Sequence, residues 1–203
     1  MSYEISYPCF AGSDFRAAIC RINQYCRARA FAFRRYCEKT LYRMAVSRYR
    51  EVTGNDSAVI RFEAVLSYRV TLNSDRTLSL FFDRYEFTGG ERGDTERFSQ
   101  TWDLCSTRRL RLKNFFLPGF LYRTYAMNCV EDRIEERIAY DFGEYFDDYV
   151  ERVEENFRDE NFYLTPNGIV LYFQQYELAP YSEGLPVFRI PCADRYVLCP
   201  KDR

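Results

Sequence analysis

Apolar residues recur every three or four positions over the first quarter of the chain, and this spacing restricts the possible fold more than any other feature. They are Phe15, Ile19, Ile22, Cys26, Ala30, Phe33, Cys37, Leu41 and Met44. Such a pattern places an apolar stripe along a helix, which has to be buried against another element. With Asp14 suited to the first turn and Gly54-Asn55-Asp56 as a stop signal, it predicts an amphipathic helix of about forty residues.

The apolar period changes to two after this helix, which is typical of a half-buried strand. The alternating residues are Ile60, Phe62, Ala64, Leu66, Tyr68, Val70 and Leu72. A turn at Asn73-Ser74-Asp75 and renewed alternation at Leu78, Leu80 and Phe82 predict a hairpin that reaches Thr88. A third strand follows the Gly89-Gly90 loop, with Phe98, Trp102 and Leu104 alternating against Ser99 and Thr101.

These two patterns together predict a long helix packed on an antiparallel meander. We expect the buried face of the meander to include Ile60, Phe62, Leu66, Tyr68, Leu80 and Trp102.

Pro118-Gly119 marks the predicted boundary between residues 1–117 and a smaller lobe, residues 118–203. Leu121 to Ala139 has the pattern of a helix, and Asp141 with Glu144 resembles a capping box that opens a second one carrying Phe142, Phe146, Tyr149, Val153 and Phe157. A hairpin with the turn Thr165-Pro166-Asn167-Gly168 and short strands at Val187–Ile190 and Tyr196–Leu198 would follow. The predicted class is therefore α+β, with two helices and a short-stranded antiparallel sheet in the second lobe.

The chain contains no histidine, and this excludes several classes of enzyme. Ser-His-Asp and Cys-His nucleophiles and His-based zinc sites all need an imidazole. The eight cysteines form no CxxC pair, so we expect no metal centre and no cofactor. Cys26 and Cys37 would lie about 16 Å apart along one helix face, too far to pair. Most of the cysteines are expected to be reduced, buried hydrophobic residues.

The net charge of −1 hides an uneven distribution. Residues 14–50 contain ten basic and two acidic side chains, whereas residues 130–160 contain thirteen acidic and four basic ones. The basic helix carries its apolar residues at core spacing, so we do not predict nucleic-acid binding. Asp147, Asp148, Glu151, Glu154 and Glu155 could supply a pair of carboxylates for glycosidic chemistry. A solvated helix face explains them better.

Sequence signals for export and membrane insertion are also absent. The first basic residue is Arg16, after Glu4 and Asp14, which predicts no signal peptide. The most apolar run, Ile169 to Phe173, has only the length of a strand. From the residues alone we expect a soluble, cytoplasmic chain without a membrane segment.

Two segments have the composition of recognition loops. The first is the strand-connecting loop Gly89-Gly90-Glu91-Arg92, which lacks the Lys-Ser/Thr ending of a phosphate loop. The second is a proline-punctuated loop that carries Tyr176, Glu177, Pro180 and Tyr181. Aromatic residues on a fixed backbone suit protein recognition, because little side-chain entropy is lost on binding. The alternative is that these residues pack the loop.

The stretch NFYLTPNGIVLYFQQYELAPYSEGLPVFRIP, residues 161–191, resembles the C-terminal domain of the RsiV-like family. In that family an FYLT-x-x-G-I-x-x-Y-F hairpin precedes YE-[IL]-APY-x-x-G. Upstream, FDRYEFTGGERG and the segments Trp102-Asp103-Leu104 and Leu112–Phe116 resemble the N-terminal module shared by RsiV and the deacetylase PdaC. Glu91 and Arg92 stand where the family pattern has Ala-His.

This resemblance implies a non-enzymatic sensor module like the extracytoplasmic part of these anti-sigma factors. Its partner would be a lysozyme-like protein or a cell-wall glycan, bound by the two candidate loops. The resemblance also implies a location outside the membrane, in contrast to the residues alone, and both locations stay open. A carboxylate-dependent enzyme acting on a wall polymer and a scaffolding protein are the alternatives.

Overall fold

The computed structural model describes residues 1–52, 61–193 and 195–198, and it confirms the α+β class. The helices are α1 (Arg16–Tyr36), α2 (Tyr42–Val52), α3 (Tyr122–Ala139) and α4 (Tyr149–Asn156). The strands are β1 (Ser2–Ile5), β2 (Glu63–Asn73), β3 (Thr77–Phe87), β4 (Asp94–Asp103), β5 (Arg108–Leu110), β6 (Phe162–Thr165), β7 (Gly168–Tyr172) and β8 (Val187–Pro191).

The chain divides into two compact units. The first consists of Met1–Tyr68 and Phe82–Glu96, and the second of Arg69–Phe81 and the chain from Arg97 onward. The strands form a five-stranded sheet of order β1-β2-β3-β4-β5 and a three-stranded sheet of order β6-β7-β8. The boundary predicted at Pro118 stays a prediction.

The long helix is confirmed, because α1 continues through a π-helical turn at Cys37–Leu41 directly into α2. Its buried residues are Ala18, Ile22, Cys26, Ala30, Phe33, Cys37 and Leu41. Met44, predicted on the same face, is 47% exposed, because the extra residue of a π turn rotates the apolar face of the helix that follows. The first turn contains no acidic residue, and Phe15 is the N-cap with φ of +52°. The stop signal Gly54-Asn55-Asp56 lies outside the described residues.

The five-stranded sheet is mixed. Strands β2, β3 and β4 follow one another through short loops, which only antiparallel neighbours allow, so the predicted meander is confirmed. Strand β1 was expected only as an extended start, and it pairs in parallel with β2 from Ser2↔Glu63 to Ile5↔Leu66. The intervening long helix supplies the crossover that a parallel pair needs.

Most of the predicted buried face of the meander is buried. Phe62, Leu66, Leu80 and Trp102 are each at most 5% exposed. Tyr68 is 40% exposed, so its assignment to the core was wrong. A tyrosine can bury its ring and leave its hydroxyl in water, and the Tyr68 ring centroid lies 6.3 Å from that of Phe82. Ile60 lies outside the described residues.

The first half of β3 and the second half of β4 are buried on both faces, which the alternating pattern did not predict. Ser99 and Thr101, expected on a polar face, are 4% and 1% exposed. Ser79 is fully buried beside them and accepts a hydrogen bond from the Leu164 amide of β6 (2.9 Å). The small polar side chains of this face therefore contact a second layer of backbone and not solvent.

The core of the second unit lies among α3, α4 and the three-stranded sheet. Its fully buried members are Leu112, Phe115, Ala126, Val130, Ile134, Val153, Leu164, Ile169 and Leu178. The hairpin Phe162–Tyr172 and the strand Val187–Pro191 form as predicted. Tyr196–Leu198 forms no strand and contributes one bridge, Phe116↔Val197.

The helix predicted to open at Asp141 begins only at Tyr149. Asp141 has φ of +58° and Gly143 has φ of +109°, and neither angle belongs to a right-handed helix. The capping box at Asp141 and Glu144 therefore does not form, and Phe142 and Phe146 precede the helix.

The cysteines depart from the expectation that most are buried. Of the seven in the described part of the chain, Cys26 and Cys37 are buried and Cys9, Cys20 and Cys105 are exposed, and all seven are free thiols. Burial raises the pKa of both Cys26 and Cys37 to about 11.

None of the helices in the described ranges is both long and apolar enough to cross a lipid bilayer.

Candidate functional site

Residues 174–181, here called the tyrosine turn, are held by an unusual pairing between a side chain and a distant strand. The Gln174 side chain accepts a hydrogen bond from the Arg97 amide (2.9 Å) and donates one to the Arg97 carbonyl (2.7 Å). One amide side chain thus occupies both backbone groups of a β4 residue, as a neighbouring strand would. The turn is fixed at its first residue.

The rest of the tyrosine turn is closed by its own backbone and by burial. The Gln174 amide donates to Glu177 Oε2 (2.6 Å), and the Glu177 amide donates to the Gln174 carbonyl (3.2 Å). Leu178 and Ala179 are 0% and 1% exposed, and the Leu178 carbonyl accepts from the Phe146 amide (3.1 Å). These contacts leave little freedom to the intervening residues.

The tyrosine turn exposes Tyr176 to solvent, and the Tyr181 ring lies next to it. Tyr176 has φ of +65° and is 48% exposed. Tyr181 is half-buried in a short 3-10 helix, Tyr181–Glu183, that Pro180 precedes. The two ring centroids lie 6.0 Å apart. Of the two predicted recognition tyrosines, the structure therefore places Tyr176 outermost and Tyr181 beneath it.

A buried polar cluster lies next to Gln174 along the sheet. The Ser99 hydroxyl is within hydrogen-bond distance of the carbonyl oxygens of Glu160 and Phe162 and of the Tyr172 hydroxyl (3.2 Å). Burial raises the pKa of Tyr172 to about 12, so this phenol stays protonated at neutral pH. The Arg97 guanidinium lies 3.8 Å from the Phe81 ring centroid. These buried residues adjoin Arg97, the residue to which Gln174 is paired.

Glu177 is a partly buried carboxyl group in this turn. Burial raises its pKa, and the hydrogen bond from the Gln174 amide opposes that effect. Glu177 was predicted as a contact residue, and that role stays a prediction. Its Oε2 atom closes the turn that carries Tyr176.

The raised pKa of Glu177 predicts a pH-dependent stability. A carboxyl whose folded pKa lies above its unfolded pKa of about 4.3 contributes stability below that value and loses it as pH rises through the folded pKa. Glu177→Gln keeps an oxygen acceptor and cannot titrate. Between pH 4 and pH 7 we expect the wild type to lose stability relative to this variant, so the urea midpoint of the variant should rise relative to that of the wild type. Urea unfolding at a series of pH values measures this, with Glu155→Gln on the exposed face of α4 as control. A difference in urea midpoint between Glu177→Gln and the wild type that does not change with pH would contradict this prediction.

The second predicted loop, Gly89 to Arg92, lies in the first unit. All four residues are exposed, and Gly89 has φ of +83°. Gly89 and Gly90 line an open depression of about 490 Å³ together with Met44, Ser47, Arg48, Glu51, Phe62 and Thr88. Gly93 ends the loop beneath the Tyr85 ring, where an added Cβ would overlap the ring. The loop is thus a hairpin connection that is accessible to a ligand.

The carboxylates give no sign of a catalytic pair. Asp147, Asp148, Glu151, Glu154 and Glu155 are all exposed; the three glutamates lie on α4, as predicted, whereas the two aspartates precede it. In residues 1–52, 61–193 and 195–198 there is no group of three or more Cys, Asp or Glu side chains placed to hold a metal ion.

Sequence reasoning missed an open groove of about 520 Å³ in the second unit. Its lining includes Arg133 and Arg137 of α3, Arg189 of β8, and the aromatic residues Tyr140 and Phe142. Tyr140 and Phe142 are 73% and 74% exposed. The available signal was weak, because these residues come from two segments about fifty positions apart and only their place beside one strand edge unites them.

Comparison with known proteins identifies two modules in the chain. Residues 113–193 match the family described as "Protein of unknown function (DUF3298)", and residues 1–95 match the family described as "Deacetylase PdaC". No curated protein matches the chain.

Solved structures show the same fold at low identity. A DUF3298 family protein from Bacteroides fragilis is 21% identical with a TM-score of 0.54, over 90% of this chain and 69% of that one. A DUF3298 family protein from Pseudomonas aeruginosa PAO1 is 22% identical with a TM-score of 0.50, over 72% of this chain. The match spans 65% of the length of the Pseudomonas protein.

Proposed function

We propose that this chain, which combines the two modules that RsiV-like proteins share, is a non-enzymatic binding module that recognises its ligand through the tyrosine turn. The observation that carries the proposal is the exposed Tyr176 ring on a backbone fixed by Gln174 and Glu177. A large ring that is ordered before binding loses little entropy when a partner covers it. The same turn contains the YE-x-APY segment on which the family resemblance rests.

The ligand class that we propose is a cell-wall-related protein of the lysozyme type. A tilted pair of neighbouring tyrosine rings with one side chain exposed suits a protein surface, since tyrosine supplies contact area and one hydrogen-bonding group together. The ligand class rests on the family resemblance. A wall glycan stacked on Tyr176 is the second ligand that the same geometry would accept.

The alternative, a carboxylate-dependent enzyme, is less well supported by the contacts. A general acid needs a protonated carboxyl that faces substrate. Glu177 has the raised pKa, yet its Oε2 accepts the backbone hydrogen bond that closes the turn. The contacts therefore favour a binding surface.

We expect Tyr176→Ala to abolish most of the binding to lysozyme while leaving the melting temperature within about 2 °C of the wild type. Tyr176 is about half exposed, so removing its ring should cost about 1–3 kcal/mol of binding energy and little folding energy. Calorimetric titration with lysozyme and with soluble peptidoglycan fragments measures the first effect, and thermal unfolding the second.

The matched control is Tyr42→Ala, because Tyr42 is 57% exposed and belongs to α2 in the other unit. It should change neither binding nor stability. Tyr181→Ala, beneath Tyr176, should lower both. Turnover of the peptidoglycan fragments would show an enzyme, and equal affinity of Tyr176→Ala and wild type would remove the tyrosine turn from the binding surface.

A further inference from the structure

Strand β8 is an edge strand, and its hydrogen-bonding direction can be derived from its register. It pairs with β7 from Gly168↔Pro191 to Tyr172↔Val187. At the two ends of this ladder, the Phe173 amide donates to the Pro186 carbonyl and the Cys192 amide donates to the Asn167 carbonyl. In an antiparallel ladder every second pair is hydrogen-bonded. The backbone groups of Phe188 and Ile190 therefore face β7, and those of Val187 and Arg189 face away from it.

These outward groups form an open edge. The Val187 carbonyl accepts a hydrogen bond from Arg137 Nη2 (2.9 Å). Among the described residues, the Val187 amide and the amide and carbonyl of Arg189 have no hydrogen-bond partner. Unpaired edge groups of this kind are a template for another strand.

The open edge borders the 520 Å³ groove, and the side chains around it determine what fits. Arg133, Arg137 and Arg189 supply three positive charges, against one carboxylate, Glu136, which pairs with Arg133. The exposed rings of Tyr140 and Phe142 stand beside them. The Arg189 side chain is itself exposed and lies in one cross-strand row with Tyr163 and Val170. The groove is basic, aromatic and bordered by free backbone donors.

We propose that the β8 edge binds an extended acidic peptide by strand addition, with the peptide backbone paired to Arg189 and its carboxylates beside Arg133 and Arg189. Backbone pairing would supply affinity, and the alternate side chains would supply selectivity. This surface includes no residue of the tyrosine turn, so it is a second binding site beyond the proposed function.

Charge distinguishes this occupant from the other candidates. Two copies of the chain joined edge to edge around Arg189 would place two arginines opposite each other, and like charges opposite across strands are destabilising. A glycan has no amide and carbonyl groups at the spacing of a β-strand. An acidic peptide satisfies both the free backbone groups and the guanidinium groups.

The test uses the peptide acetyl-Thr-Val-Asp-Val-Asp-Val-Thr-amide with the full chain. Titration followed by NMR should shift the amides of Val187 and Arg189, and both amides should exchange with solvent more slowly in the complex. Two control peptides share its length: one has Lys in place of Asp, and the other has N-methyl groups on alternate amides. Each should bind at least tenfold more weakly.

A pair of protein variants separates the backbone from the side chain. Arg189→Ala removes the charge, whereas Arg189→Pro also removes the outward amide and leaves the ladder to β7 intact. We expect Arg189→Pro to bind at least tenfold more weakly than Arg189→Ala. The proposal is overturned if the acidic peptide does not bind at millimolar concentration, if N-methylation or Lys leaves affinity unchanged, or if the chain self-associates through β8. The peptide controls remain decisive if Arg189→Pro fails to fold.

Discussion

Replacing Gly168 with alanine is expected to lower the free energy of unfolding by about 3–5 kcal/mol. Gly168 has φ of +143°, a backbone conformation that is strained for any residue with a side chain. It begins β7 directly after the two-residue loop Pro166-Asn167. A Cβ on Gly168 would overlap the Ile190 carbonyl oxygen and lie 3.1 Å from the Pro191 Cα. Both neighbours are backbone atoms of β8, so they cannot rotate away. The substitution forces β7 and β8 apart.

Chemical denaturation of the variant measures this loss. The matched control is Gly119→Ala, because Gly119 also has a positive φ of +78° but has open space where a Cβ would stand. Strain alone should cost about 1–2 kcal/mol at Gly119. Equal losses in the two variants would show that the close approach of β8 contributes nothing and would contradict the packing argument.

The turn that contains Gly168 shows which parts of the fold can be predicted from sequence. Thr165-Pro166-Asn167-Gly168 specifies a tight turn through local chemistry, since proline fixes φ and glycine allows a positive one. The long helix and the meander were predictable for a similar reason. Their apolar periods of 3.6 and two are local properties of the chain.

The errors arose where distant contacts override the local pattern. Ser99 and Thr101 look like a solvated strand face, but contacts of this face with residues 160–172 bury them, and sequence spacing carries no record of that layer. Asp141 and Glu144 have the spacing of a capping box, but the positive φ angles at Asp141 and Gly143 redirect the chain. A local sequence pattern indicates which structures a segment can form, and its contacts with the rest of the chain determine which one it adopts.

The candidate sites show the same division. The tyrosines of the turn were visible in the sequence, whereas the Gln174–Arg97 pairing that fixes the turn joins residues 77 positions apart. The sequence therefore named both Tyr176 and Tyr181 as candidates but could not tell which of them is more exposed. The basic groove beside β8 escaped prediction entirely, because an open edge exists only once strand order is known.

Ser79→Ala is expected to lower the free energy of unfolding by about 2–4 kcal/mol, although it removes a single oxygen atom. Ser79 Oγ is fully buried, lies 2.9 Å from Thr101 Oγ1 and accepts the Leu164 amide of β6. Alanine at this position leaves a buried backbone amide and a buried hydroxyl without their partner. Each such group costs about 1–3 kcal/mol, because neither can reach water.

A double-mutant cycle with Thr101→Val separates the two groups that Ser79 satisfies. The double variant no longer contains the orphaned hydroxyl, so it should lose less than the sum of the single variants, while the Leu164 amide stays unpaired. Ser106→Ala is the surface control, since Ser106 is an exposed serine that bonds to Asp103, and it should change stability by less than about 0.5 kcal/mol. If Ser79→Ala behaved like Ser106→Ala, the bond from Leu164 to Ser79 would contribute no stability, and apolar packing alone would hold β6 against this face.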